Sequence, residues 1–400
     1  MIGATKGSDL LSHLFHGVAV AALPVMLIFV WATSAQSSGG AKPSNVVALL
    51  SNNRLAEVDS DTGGLFRDLA LAGVPAAGTF RPPGHYLALS RDRHALYVLV
   101  PDQPAGSNRL VVLALPDLSR RATYSFASGD ARYQSLAVGP VTGHVYLFGS
   151  RPGTAVVSEL DPEQGAILHT WAVKSLANWT PKGPVPGDFL IYQAAVAPGE
   201  RTLYYSYYGG RLDLAGIDWL QRTPDGVIPC RATLKSGACL PGIAGFQFYG
   251  DGVLAVSADD TSSGTVFDVD RSGQVRRTLY FQLGGGFLMD FALDARAGKL
   301  YAVGSCGYRG GLSVLDLQSG AAEDPVPPGP PGMPAEHVPC GQRLALLPNG
   351  HLVVGNVPGA LNPRAGVGGA LLFLDTATGQ TLREVPTSSQ PIDVLVLPPA

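Results

Sequence analysis

The sequence predicts an all-β protein, a seven-bladed β-propeller closed by pairing its C-terminal strand with an N-terminal half-blade. Three observations lead there. Short apolar strand patterns recur along the chain, Gly and Pro punctuate them, and the two ends read as parts of one unit. Gly (50) and Pro (32) are abundant among 400 residues, and charged residues are only 15%, against about 25% in ordinary globular chains. Many turns and few charges suit short strands in layers rather than long solvated helices. Hydrophobic residues at 46% supply a core, and the net charge is -3 with no basic run. A nucleic-acid surface needs clustered Lys and Arg to displace counterions, so that class is excluded.

The unit is most complete in residues 290–318. Residues 291–293 form an apolar strand, 295–299 a turn of small residues and 300–304 a second strand. A Gly-rich loop over 305–311 leads to a third strand, 312–317, containing an Asp before the next turn. Residues 46–71 are a half-unit with strands at 46–50 and 55–58 and a hairpin turn at 59–63. Further openings read HYLALSRDRHALYVLV from His85, YQSLAVGPVTGHVYLFG from Tyr133 and IYQAAVAPGERTLYYSYY from Ile191. FQFYGDGVLAVSA follows from Phe246 and QRLALLPNGHLVVGN from Gln342. Outer strands are expected at 110–115, 122–126, 156–171, 265–281 and 370–385. The outer half after Tyr208 is enlarged by a loop through Cys230 and Cys239, and 325–334 reads as a Pro-rich loop. The openings lie roughly 44 to 58 residues apart, the scale of a four-stranded blade with its loops. Residues 392–397 are a lone first strand, which joined to 46–71 makes the seventh blade. Closure of that kind removes two open sheet edges.

The first 45 residues are separate. Residues 17–33, GVAVAALPVMLIFVWAT, are apolar and uncharged, Lys6 precedes them, and small residues follow at 33–35. This reads as a signal peptide or membrane anchor over 1–35, then a Ser/Gly/Pro linker over 36–45 and the propeller over 46–400. The bulk of the protein is expected to be secreted, periplasmic or at the cell surface, with membrane contact only if the segment is retained, and to be a monomer. Cys230, Cys239, Cys306 and Cys340 form an even set in an exported chain, for which disulfides are the default. No metal site is expected.

The recurring small-apolar strand, Asp/Gly turn, Leu-Tyr-Val strand and Asp-x-x-Thr-Gly hairpin resembles the exported YVTN and WD40-like propeller repeats. The strand slots read LYVLV (96–100), LYYSY (203–207), LYAVG (300–304) and LVVGN (352–356). The hairpins read DPEQG (161–165) and DTATG (375–379), and the resemblance covers residue 46 to the C-terminus. It implies a superfamily that contains quinone-dependent dehydrogenases, such as the quinoprotein amine dehydrogenase β-chain, as well as lactonases and plain binding scaffolds. Fold alone does not choose among them.

The architecture sorts the residues. His94, His144 and His351 fall in turns between first and second strands, and Asp59, Asp61, Asp161, Asp268, Asp270 and Asp375 in hairpins. There Asp accepts nearby backbone N–H groups and Gly supplies positive φ. At the other end, His85, Gln134, Gln193, Asp290, Arg343 and Asp393 stand where the inner strands begin, with Arg309 and His337 in adjoining loops. These eight are the candidate ligand-binding residues. The same groups also suit a second role, polar ties between neighbouring blades, with Asp290 and Arg343 as an ion pair. The Tyr204, Tyr205, Tyr207 and Tyr208 run suits packing between blades, or else a stacking platform. No nucleophile elbow, phosphate loop or His-Glu-x-x-His motif is present. The expected function is a ligand- or protein-binding scaffold whose site is the channel mouth. The alternative is a lactone hydrolase or a quinone-type oxidoreductase. No catalytic residue or cofactor is assigned.

Cys230 and Cys239 lie in one excursion, and Cys306 and Cys340 flank a single inter-blade connection. Non-reducing peptide mapping should therefore recover Cys230–Cys239 and Cys306–Cys340. A Cys239–Cys306 peptide, or four free thiols, would overturn this pairing.

Overall fold

The computed structural model describes residues 45–71, 84–101, 108–126, 131–151, 154–175, 190–208, 216–223, 226–231, 243–258, 263–270, 274–282, 288–304, 311–326, 341–356 and 368–398. The chain divides into two units, Met1–Ser37 and Ser38–Ala400, and every described residue lies in the second. The N-terminal segment, Cys239, Cys306, Cys340, Arg309 and His337 lie outside the described residues. Among the described residues no helix is long and apolar enough to cross a membrane.

The described elements are all strands. The first three are β1 (Asn45–Leu50), β2 (Arg54–Asp59) and β3 (Leu65–Ala70). Then come β4 (Leu87–Leu89), β5 (Ala95–Pro101), β6 (Asn108–Ala114) and β7 (Arg120–Phe126). Next are β8 (Arg132–Val138), β9 (Val145–Arg151), β10 (Thr154–Asp161) and β11 (Ala166–Ser175). They are followed by β12 (Leu190–Val196), β13 (Thr202–Tyr208), β14 (Gly216–Thr223) and β15 (Gly226–Arg231). The next four are β16 (Ile243–Tyr249), β17 (Gly252–Ala258), β18 (Ser263–Val269) and β19 (Val275–Gln282). After these stand β20 (Leu288–Asp294), β21 (Lys299–Gly304), β22 (Leu312–Asp316) and β23 (Ala322–Val326). The last are β24 (Gly341–Leu346), β25 (Leu352–Asn356), β26 (Gly369–Leu374), β27 (Thr381–Thr387) and β28 (Pro391–Val396).

These strands form antiparallel four-stranded sheets of the β-propeller class. Six sheets each take four strands in sequence order, β4–β7, β8–β11, β12–β15, β16–β19, β20–β23 and β24–β27. One more is composite, ordered β28-β1-β2-β3. In it Val46 faces Val396 and Leu49 faces Asp393. The inner strands of successive sheets touch in turn, β4 with β8, β8 with β12, and so on through β16, β20 and β24 to β28, which touches β4. The core lies between the sheets, where apolar faces such as Leu96–Val98–Val100 and Leu136–Leu147 pack with none to a few percent of their surface exposed. Tyr205 is buried against Phe148, their rings 6.0 Å apart, and Tyr204 packs on Phe246, so these two tyrosines serve packing.

Four strands had no expected range: β3, β14, β15 and β23, the last of which takes Pro325 and Val326 from the stretch read as a Pro-rich loop. β14 and β15 fill the outer half expected to be enlarged by a loop, and pair with Thr223 facing Gly226. The hairpins behave as expected except at Asp268, which lies inside β18 facing Arg277 rather than in the turn. Asp59 Oδ1 accepts the N–H groups of Asp61 (2.8 Å) and Thr62 (2.6 Å), and Asp375 Oδ1 those of Ala377 (3.0 Å) and Thr378 (2.7 Å). Gly63 and Gly379 follow at φ of 70° and 68°, which only Gly adopts without strain.

β28 is the inner strand of a sheet whose other members begin the chain. Deleting residues 392–400 exposes the β1 edge and removes Ile392 and Val394 from two apolar clusters. Thermal unfolding should then lose cooperativity, with Tm falling by more than about 10 °C. A truncated protein that melts like the full chain would show that this pairing does not hold the domain together.

Candidate functional site

A β-bulge recurs at one position of the inner strands. The register skips one residue between Tyr133 and Ser135, Ile191 and Gln193, and Ile243 and Gly245. It does so again between Leu288 and Asp290, Gly341 and Arg343, and Pro391 and Asp393. A bulge re-aims the side chains around it. Here it turns the residue after the skip toward the next sheet.

That residue does the same work in three sheets. Gln193 Oε1 accepts Phe246 N–H (2.7 Å), and Asp290 Oδ2 accepts Leu344 N–H (2.8 Å). Asp393 Oδ2 accepts both Tyr86 N–H (2.6 Å) and Leu87 N–H (2.8 Å). Gln134, itself the skipped residue of β8, accepts Ile191 N–H at 2.5 Å. These amides lie on inner edges that have no strand beside them. A buried N–H left without an acceptor costs about 1–3 kcal/mol, so the clasps are structural. Gly245 fits the same scheme, since a Cβ there would stand 2.7 Å from Gln193 Oε1 and 2.8 Å from the Phe291 ring.

Four of the candidate residues converge. Asp290, Arg343, Asp393 and His85 come from sheets that follow one another around the contact order above. Arg343 Nε lies 3.6 Å from Asp393 Oδ1, and His85 Nδ1 lies 3.7 Å from the same oxygen. Arg343 Nη2 donates to Gly84 O at 2.6 Å. Asp393 and Arg343 are 1% and 3% exposed, whereas the His85 side chain sits in a recess with 28% of its surface open. Asp290 is coupled to Arg343 electrostatically, but the ion pair formed is Arg343–Asp393, a correction to the expected Asp290–Arg343 pair. Asp290 instead spends an oxygen on Leu344.

Burial drives the protonation of this group. It pushes the Asp393 carboxyl up to about 7, against the opposing charge of Arg343 and the Leu87 and Tyr86 amides. The Asp290 carboxyl is raised for the same reason, again opposed by Arg343. Burial, then the charge of Arg343, lowers the His85 imidazole well below its usual value, so it is neutral at pH 7. The cluster can thus present a neutral, partly open imidazole beside a buried guanidinium, the Asp393 carboxyl pushed up to about 7 and the Asp290 carboxyl raised by burial.

A second polar network was not anticipated. Glu159, fully buried on β10, lies 2.8 Å from His144 Nδ1 and 3.2 Å from the Tyr146 hydroxyl. The same hydroxyl donates to Glu200 Oε1 at 2.9 Å, and Glu200 Oε2 accepts Val141 and Thr142 N–H at 3.0 and 2.8 Å. Burial alone would raise the Glu200 carboxyl, but its hydrogen bonds from Thr142, Tyr146 and Val141 outweigh that and lower it. Glu200 holds φ at 56°, an unusual place for a non-Gly residue. The signal available in sequence was a charged Glu159 inside an otherwise apolar strand. His94, His144 and His351 sit in turns as expected. Among the described residues no group of three or more His, Cys, Asp or Glu is placed to hold a metal ion.

No family model matches this sequence, and no curated protein matches it closely enough to count as a relative. Solved structures do resemble it. The periplasmic gluconolactonase of Pseudomonas aeruginosa superposes with a TM-score of 0.62 at 15% identity, covering 89% of this chain and 99% of that one. A Bacteroides fragilis protein that carries the provisional name 6-phosphogluconolactonase gives 0.60 at 14% identity, covering 91% and 100%. The dihydro-heme d1 dehydrogenase NirN gives 0.51 at 13%, covering 90% and 76%. At such identities the likeness defines the class, a β-propeller.

The folded Asp393 carboxyl titrates near 7 against 3.8 when free. A raised carboxyl pKa favours the folded state below about 4, and that contribution is lost as pH rises through about 7. Asp393→Asn should therefore flatten the fall of Tm between these pH values, and lower Tm above about pH 7, where it leaves Arg343 without its carboxylate. A Tm profile with unchanged slope would remove Asp393 as a titrating group.

Proposed function

We propose that the protein is an exported, monomeric seven-bladed propeller, its ring closed by β28 on β1, that binds a small polar ligand where the inner strands begin. The observation that carries the reading is the convergence of His85, Arg343, Asp393 and Asp290, where Arg343 and Asp393 are buried while His85 and Asp290 keep some open surface. Export is supported by the apolar run at 17–33 and agrees with a periplasmic structural neighbour. Gln134 and Gln193 belong to the wall of the site rather than to its chemistry, because their acceptor oxygens are spent on backbone amides. Arg309 and His337 remain candidates.

A second reading is lactone hydrolysis. It is favoured by the neutral imidazole of His85 beside the Asp393 carboxyl, an arrangement able to take a proton from water. Neighbours named as lactonases agree with it, and a dehydrogenase neighbour keeps an oxidoreductase in view.

Calorimetry with gluconate and glucono-lactone, and a pH-stat assay with the lactone, separate these readings. Binding without turnover, weakened about tenfold or more by His85→Gln, is expected for the scaffold. Turnover abolished by His85→Gln would establish the hydrolase. A visible chromophore in the purified protein would point to the oxidoreductase. Binding and turnover both indifferent to His85→Gln would remove this cluster as the site.

A further inference from the structure

The outer strands carry a bulge of their own, at the end of the molecule opposite the cluster. The register of the outer strand skips Phe66 in β3, Arg121 in β7, Leu168 in β11, Arg276 in β19 and Leu382 in β27. Each skip comes just after the hairpin that opens the strand. A bulge on an edge strand blunts it against pairing with other chains, and charged residues serve that purpose best. Arg121 and Arg276 fit. Phe66, Leu168 and Leu382 do not, and they are 56%, 39% and 52% exposed. Leu65, next to Phe66, is 51% exposed. Edge protection explains the bulges but not apolar residues in them.

The apolar positions form one arc. Arg383, beside Leu382, donates to the carbonyls of Ser60 and Asp61 in the β2–β3 hairpin. Arg67, beside Phe66, donates to Pro116 O at 3.3 Å, and Tyr124 of β7 donates to Pro162 O at 2.7 Å. The hairpins of four consecutive sheets are thereby joined, and their bulges read Leu382, Phe66, Arg121 and Leu168. The chain enters the propeller here as well. Asn45, the first described residue, faces Asp59 at the foot of the same hairpin. The residues before it include the apolar run at 17–33.

We propose that this arc rests on a lipid bilayer, with Phe66, Leu382 and Leu168 entering the interface and Arg121 meeting lipid phosphates. Apolar side chains projecting from a rigid edge, with an Arg among them, suit the boundary between headgroups and acyl chains. A lipid surface is favoured over a protein partner because Asn45, the first described residue, stands at this end and an apolar run precedes it in the sequence. The candidate ligand site, at the opposite ends of the same sheets, then faces away from the membrane toward solutes. The inference does not depend on what that site binds.

Hydroxyl-radical footprinting of the full chain tests this, with phosphatidylcholine vesicles, with the same vesicles containing phosphatidylglycerol, and without vesicles. Reactivity at Phe66, Leu168 and Leu382 should fall by about threefold or more when vesicles are present. Tyr280, 72% exposed on β19 and outside the arc, should not change. A Phe66→Ser/Leu382→Ser variant should return Leu168 to its vesicle-free reactivity, since exposed substitutions leave the fold intact. Unchanged reactivity at the arc, including in protein held on vesicles by its N-terminal segment, would overturn the proposal. So would protection that rises with protein concentration in the absence of lipid, which would mean that copies of the chain meet there.

Discussion

Each innermost strand has one edge with no strand beside it, and the treatment of those N–H groups shapes the rest of the molecule. A row of unpaired backbone groups in a crowded interior costs several kcal/mol if left alone. This chain answers with a carboxylate or amide from the preceding sheet, aimed by a bulge. Gln193, Asp290 and Asp393 are equivalent in place and in use. Because the acceptor belongs to one sheet and the donor to the next, each clasp fixes an angle between sheets as well as filling a vacancy. The same constraint brings ionisable groups to one place. Two of the acceptors are acids, and the residue equivalent to them in the sheet between is Arg343. The candidate site is therefore a by-product of the clasp geometry in which two positions, His85 and Asp290, keep some open surface.

The clasps also set the electrostatics. Asp393 accepts three backbone N–H groups, from Tyr86, Leu87 and its neighbour Val394, and faces a guanidinium. Those contacts favour the anion, yet burial outweighs them. The Glu159–Glu200 network shows the opposite balance, where hydrogen bonds outweigh burial at Glu200. Two acidic ties in one fold thus differ in sign because one is sealed among inner strands and the other caps a turn near solvent.

The strands were legible in sequence wherever an apolar run met a turn of Asp, Gly or Asn, as at Leu96, Leu300 and Leu352. β14 and β15 were missed because Asp218, Gln221, Arg222 and Pro229 break the expected alternation, and β-propensity depends on pairing that sequence does not display. The hairpin Asp residues were legible because their chemistry is local, an oxygen two or three residues from the amides it accepts. The site was legible only in outline. Position along the inner strands grouped His85, Asp290, Arg343 and Asp393, but a bulge shifts Asp290, Arg343 and Asp393 by one residue and has no composition of its own. That shift decides whether Arg343 meets Asp290 or Asp393. Glu200 looked like an ordinary turn residue because its partners, Val141 and Tyr146, lie in another sheet.

The composite sheet has a bearing on biosynthesis. Its first three strands are made before any other part of the domain, and its innermost one after nearly all the rest. A nascent chain would present β1 with a bare edge until residue 396 had been made. Sheets made of consecutive strands can collapse as they appear, while the ring as a whole waits for the last segment to arrive. The long-range pairing of residue 46 with residue 396 makes that final step slow by loop-closure entropy. During the wait the β1 edge is where a holdase or a neighbouring chain would find purchase.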